Sequence, residues 1–167
     1  MIPVSQLRLE LLRLRADHVE LEALPKVYYQ PDLRTHPTFF GTPIDRIPNE
    51  IATANCTKVL GVMEAHNLDA TRLGISADGG FGIIWQSIFT PGRYAHIECT
   101  NDGAVCGVRT DANCSIDDPN QFRFWWIGEL CPENWDPTYT GPGPGELNLT
   151  TEEAIEHIRC FIWADYK

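Results

Sequence analysis

Apolar residues recur along this chain with two periods, and the change from one to the other separates helical from extended segments. In MIPVSQLRLELLRLRADHVELEAL, Leu7, Leu11, Leu14 and Leu21 fall at roughly helical spacing. Ser5 can cap this helix, Arg8, Arg15 and Glu22 charge its other face, and Pro25 marks its end. Prolines at 25, 31, 37, 43 and 48 then punctuate a stretch without periodicity. It reads as an ordered loop, because Tyr28, Tyr29, Phe39 and Phe40 need packing partners. Pro48 is expected to open a second helix at its first turn, where a missing N–H costs nothing. Its apolar stripe is predicted as Ile51, Ala54, Val59, Val62 and Met63, with Asn67 as the stop.

The period then drops to two. Leu73, Ile75 and Ala77 alternate, and Phe81, Ile83 and Trp85 alternate on the returning strand, joined by an Asp78-Gly79-Gly80 loop. A second hairpin is predicted in YAHIECTNDGAVCGV, with a two-residue Asp102-Gly103 turn. That register places Cys99 opposite Cys106 and Ile97 opposite Val108, all on an apolar face shared with Ala95. Tyr94, His96, Glu98 and Thr100 then share the other face with Val105 and Arg109. The aromatic run FRFWWI, Phe122 to Ile127, reads as a further strand, broken off by the Pro- and Gly-rich CPENWDPTYTGPGPGELN. A last helix follows, with Thr150 and Glu153 as its capping box and Ile155, Ile158, Ile162 and Trp163 toward the sheet. The expectation is a single α+β domain over residues 1–167. In it, an antiparallel meander of about four strands packs with two N-terminal helices and one C-terminal helix.

Composition adds bounds. A chain of 167 residues with 43% hydrophobic content can bury a core without staples. The charges interleaved in the N-terminal helix leave no uninterrupted apolar segment, so neither an export signal nor a membrane span is expected. A cytoplasmic location follows as the default, and with it reduced thiols at Cys56, Cys99, Cys106, Cys114, Cys131 and Cys160. No CxxC pair occurs, so zinc is not expected, nor any other metal or cofactor.

Charge changes the picture most. Between Asp111 and Glu156 stand ten acids and one base, Arg123, so this window carries −9 of the formal net charge of −10. Direct binding of nucleic acid is disfavoured, because it rests on basic residues neutralising phosphates. A protein partner with a basic surface is the complementary choice. Acids on a solvated face serving only solubility are the simpler alternative.

The candidate chemistry is thin. His96 and Glu98, two apart on one strand face, have the types of a general acid/base pair but no marked nucleophile or oxyanion donor beside them. The glycines of ADGGFG and TGPGPGE lack the strand–loop–helix setting and Lys-Ser/Thr of a phosphate loop. Adjacent strand tryptophans, Trp125 and Trp126, must face opposite ways, so one of them is placed at the surface beside Trp135.

FFGTPI, a helix, ISADGGFGIIW and YAHIECTNDGAV follow one another over roughly residues 39 to 108. This pattern resembles a loose group of small uncharacterised bacterial and phage-associated proteins with a Gly-x-Pro segment, a DGG hairpin ending in Trp and an IE…DG hairpin. The resemblance implies no catalytic residues. Through the group's association with mobile elements, it implies a partner-binding role of inhibitor, immunity, antitoxin or anti-defence type. The leading expectation is therefore a non-enzymatic interaction protein, with Asp117, Asp118, Trp125, Glu133, Trp135 and Asp136 as partner contacts. The alternatives are a small enzyme with a loop-assembled site at His36, His96 and Glu98, or a ligand-binding accessory domain.

Overall fold

The structure is a computed structural model and describes residues 1–23, 47–76, 79–87, 93–110, 122–135 and 147–164. Helix α1 (Val4–Ala23) begins earlier than its Ser5 signal. The carbonyl of Pro3 accepts from the N–H groups of Gln6 and Leu7, so the proline turn sets the start and Ser5 lies inside the helix. Val4, Leu7, Leu11 and Leu14 are buried, as the spacing requires.

Helix α2 (Glu50–Ala65) is capped by Asn49, whose side chain accepts from the N–H of Ala52 at 2.9 Å. Pro48 therefore precedes the cap and does not occupy the first turn. The buried face is Ala52, Asn55, Cys56, Val59, Leu60 and Met63. Ile51 and Ala54, expected in the stripe, are exposed. The phase differs because polar Asn55 turns inward, donating its amide to the carbonyl of Gly103 at 3.3 Å. Asn67 stops the helix as expected, in the left-handed region at φ 51°.

Among the described residues, six strands form one sheet in sequential order: β1 (Arg72–Ile75), β2 (Gly80–Gln86), β3 (Tyr94–Thr100), β4 (Val105–Thr110), β5 (Phe122–Ile127) and β6 (Leu147–Leu149). The first five are antiparallel and β6 runs parallel to β5, so the sheet is mixed and longer than the expected four-stranded meander. Helix α3 (Thr151–Ala164) follows directly and carries the predicted capping box: the N–H of Thr150 reaches Glu153 at 2.8 Å, and the N–H of Glu153 reaches Thr150 Oγ1 at 3.2 Å. The α+β class holds. Ile155, Ile158 and Phe161 of α3 are buried.

Both hairpin loops differ from expectation: the first keeps three residues but lies one position earlier, and the second has three residues in place of two. Ser76 pairs with Gly80 and Thr100 with Ala104, enclosing three-residue loops at 77–79 and Asn101-Asp102-Gly103. In each, the third residue is a glycine with positive φ, 90° at Gly79 and 95° at Gly103, and its N–H bonds the carbonyl three residues back. In the first hairpin Ile75 pairs with Phe81 and Leu73 with Ile83, a shift of two that keeps both apolar sets on one face. In the second the shift is one, so Cys99 pairs with Val105 and Glu98 with Cys106. A shift of one reverses every side chain of β4. Cys99 and Cys106 are not opposite each other, and Cys106 shares the face of His96 and Glu98.

Asn101 explains the longer loop. Its Oδ1 accepts from the N–H of Asn49 at 2.9 Å, its Nδ2 donates to the carbonyl of Ile47 at 2.9 Å, and its own carbonyl accepts from Asn49 Nδ2 at 2.8 Å. Pairing Asn101 into the ladder would forfeit these bonds to the start of α2.

The core lies on one face of the sheet. Leu73, Phe81, Ile83, Trp85, Ala95, Ile97, Cys99, Val105, Trp125 and Ile127 all point to that side and pack with the buried residues of α1, α2 and α3. The Cys99 thiol meets that of Cys56 from α2; this hydrogen bond, then burial, pushes its pKa well up. On the opposite face lie Ile84, Tyr94, His96, Glu98, Cys106, Val108, Phe124 and Trp126.

Candidate functional site on the second face of the sheet

The two tryptophans of β5 are sorted by its alternation. Trp125 points into the core and is 0% exposed, its ring lying over Gly107, where an added Cβ would approach it to 2.3 Å. Trp126 takes the second face and is partly exposed. Trp125, expected among the partner contacts, therefore belongs to the core, and Trp126 takes its place at the surface. The signal in the sequence was Gly107 itself: a glycine inside a strand leaves room for a large ring from its neighbour.

Trp135 joins Trp126 on that face through a built turn. After β5, a short 3₁₀ turn (Gly128–Leu130) leads to Cys131, whose Sγ accepts from the N–H of Val105 at 3.3 Å and contacts the carbonyls of Val105 and Ile127. Burial pushes the Cys131 thiol up, which keeps it a donor. Pro132 packs beside Gly103, and the N–H of Trp135 closes the turn on the Pro132 carbonyl at 2.9 Å. The rings of Trp126 and Trp135 then meet with centroids 5.1 Å apart at 68°, and Phe124 meets Trp126 at 4.9 Å and 84°. Such edge-to-face contacts are the preferred aromatic geometry. Exposed Glu133 stands two residues before Trp135.

Further along the same face, His96 stacks on Tyr94 at 5.7 Å and 7°, and its Nε2 lies 3.8 Å from Glu98 Oε1. Cys106 is directly across from Glu98. The register thus brings a thiol, an imidazole and a carboxylate to one face, which the sequence reading had separated. Among the described residues, no group of three or more His, Cys, Asp or Glu side chains could hold a metal ion. His36, Asp117, Asp118 and Asp136 lie outside the described residues.

Several acids of the negative window have structural partners. The Glu129 carboxylate accepts from the N–H and hydroxyl of Thr151, at 2.7 and 2.6 Å, which hold its pKa below the usual range. It thereby occupies the anion-favouring start of α3. Glu153 serves the capping box, and Glu152 stands 3.5 Å from His66 Nε2. A groove of about 710 Å³ between α2 and the start of α3 is lined by Lys58, Val62, Glu129, Leu130, Thr151 and Glu152. The protein's own carboxylate already fills its anion-binding position. Glu133, by contrast, is exposed, two residues before Trp135.

Comparison with protein-family models, with curated proteins and with solved structures finds no match. Among the described residues, no helix is long and apolar enough to cross a membrane.

Proposed function

We propose that this protein is a non-enzymatic interaction protein that docks a basic surface of a protein partner onto the second face of its sheet. The observation that carries this is the partly exposed group Phe124, Trp126 and Trp135, with exposed Glu133 two residues before Trp135, within a window bearing −9 of the chain's charge. Aromatic anchors near the centre of an interface supply most of its binding energy, while surrounding charges govern encounter and partner choice. Inhibition of an enzyme or toxin with a basic active face is the role this chemistry suits, in keeping with the resemblance to mobile-element proteins. The test uses the partner that co-purifies from the native host, identified by mass spectrometry. Trp126→Ala and Trp135→Ala should each raise its dissociation rate about tenfold or more, with the association rate nearly unchanged. Dissociation rates equal to the parent's in both variants would end this reading.

A second reading, a small enzyme, has one observation in its favour: Cys106 shares a face with His96 and Glu98. Loss of biological activity in Cys106→Ser or His96→Ala, with partner binding intact, is the result that would favour it.

A further inference from the structure

The exposed aromatic surface is chemically one-sided. Trp126 and Trp135 are both partly exposed, yet the Nε1 atom of each is buried and has no hydrogen-bond partner among the described residues. What the two rings offer to solvent is therefore carbon and π surface, not the indole N–H donor. A ligand recognised there cannot be an anion or carbonyl accepting from tryptophan. The π face carries partial negative charge and attracts cations. The chain that carries these rings fits the same sign: residues 124–135 contain neither a lysine nor an arginine. Near-perpendicular contacts, 84° between Phe124 and Trp126 and 68° between Trp126 and Trp135, turn the ring faces in different directions. Exposed Glu133 stands on the turn that carries Trp135, two residues before it.

Resting on the docking reading above, we infer that Phe124, Trp126, Trp135 and Glu133 form the seat for one arginine side chain of the partner. Arginine fits better than lysine because its planar guanidinium is weakly hydrated and stacks on aromatic faces while a free edge bonds a carboxylate. An ammonium group would give up more hydration for the same contact.

The test uses N-acetyl-arginine amide as probe, with its neutral isostere N-acetyl-citrulline amide and N-acetyl-lysine amide as controls. The indole N–H resonances of the intact protein are followed by NMR, assigned through single Trp→Phe variants. Arginine amide at millimolar concentrations should shift the Trp126 and Trp135 signals in a saturable way and leave Trp125 in place. Citrulline amide should do neither, and lysine amide should bind more weakly. Trp135→Leu, which keeps apolar bulk but removes the π surface, should weaken the probe about two- to fivefold. Glu133→Gln should act to a similar extent, about two- to fivefold. Equal responses to arginine and citrulline, tighter binding of lysine, or no response at all would each overturn the assignment. The two readings fail separately. Partner binding lost in Trp135→Leu without any response to arginine amide keeps the docking face and removes the arginine seat. Saturable arginine binding, with a partner indifferent to Trp126 and Trp135, keeps the seat and removes the docking face.

Discussion

At Gly107 the space for a side chain is taken by the indole of Trp125, and an added Cβ would lie 2.3 Å from it. Gly107→Ala must move either the ring or the strand, and overpacking of this kind costs about 1–3 kcal/mol. For a chain of this length that lowers Tm by roughly 2–4 °C per kcal/mol. A thermal melt checks this, and an unchanged Tm would show that Trp125 is not seated there. Beside the same ring, at 5.5 Å, lies the imidazole of His157. Burial, then the positive charge of Arg109, pushes its pKa below the ordinary value, with Glu153 opposing. The unfolded chain takes up that proton near pH 6.5, about the reference value, while the folded chain resists it until lower pH. Between those two values the unfolded state binds more protons, so stability falls as pH falls through the window. His157→Gln should reduce the loss of stability between pH 7.5 and 5.5, measured by urea denaturation. An identical loss in the variant would contradict this.

At the scale of elements, the turn decides what the strands present. A two-residue turn at Asp102-Gly103 would have set Cys99 against Cys106; the three-residue loop sets them on opposite faces of the sheet. A mild oxidant should therefore form no Cys99–Cys106 link in the folded protein. Native alkylation should reach exposed Cys160 first, with buried Cys56 and Cys99 reacting only after unfolding. A Cys99–Cys106 disulfide found by mass spectrometry would refute the register. The sequence carried the apolar alternation of the strands, the stop at Asn67 and the capping box at Thr150 and Glu153 legibly, because each is a local pattern. It did not carry the loop length, since that is fixed by Asn101 bonding to Asn49 and Ile47, residues more than fifty positions away. The parallel strand β6 was hidden for a similar reason. Leu147–Leu149 is too short to show a period, and its pairing with Trp125–Ile127 is a tertiary event. The choice between Trp125 and Trp126 hung on that same long-range geometry. Local alternation told only that they part.

At the scale of the molecule, among the described residues, three helices pack on one face of the sheet, and the other face holds the aromatic trio and the His96–Glu98 pair. The acidic excess was legible from composition, but the division of labour within it was not. Glu129 and Glu153 are committed to the start of α3, whereas Glu133 stands exposed two residues before Trp135. If the second face docks a basic partner, opposite charges accelerate encounter, and salt shortens their reach to a Debye length of about 8 Å at physiological ionic strength. The direct measurement is the association rate of the co-purified partner as salt is raised, for the parent and for the triple variant Asp117→Lys, Asp118→Lys and Glu133→Lys. The expected result is a parent rate that falls steeply with salt and a variant rate that starts about tenfold or more lower and depends on salt far less. A parent rate independent of salt and matched by the variant would contradict the account.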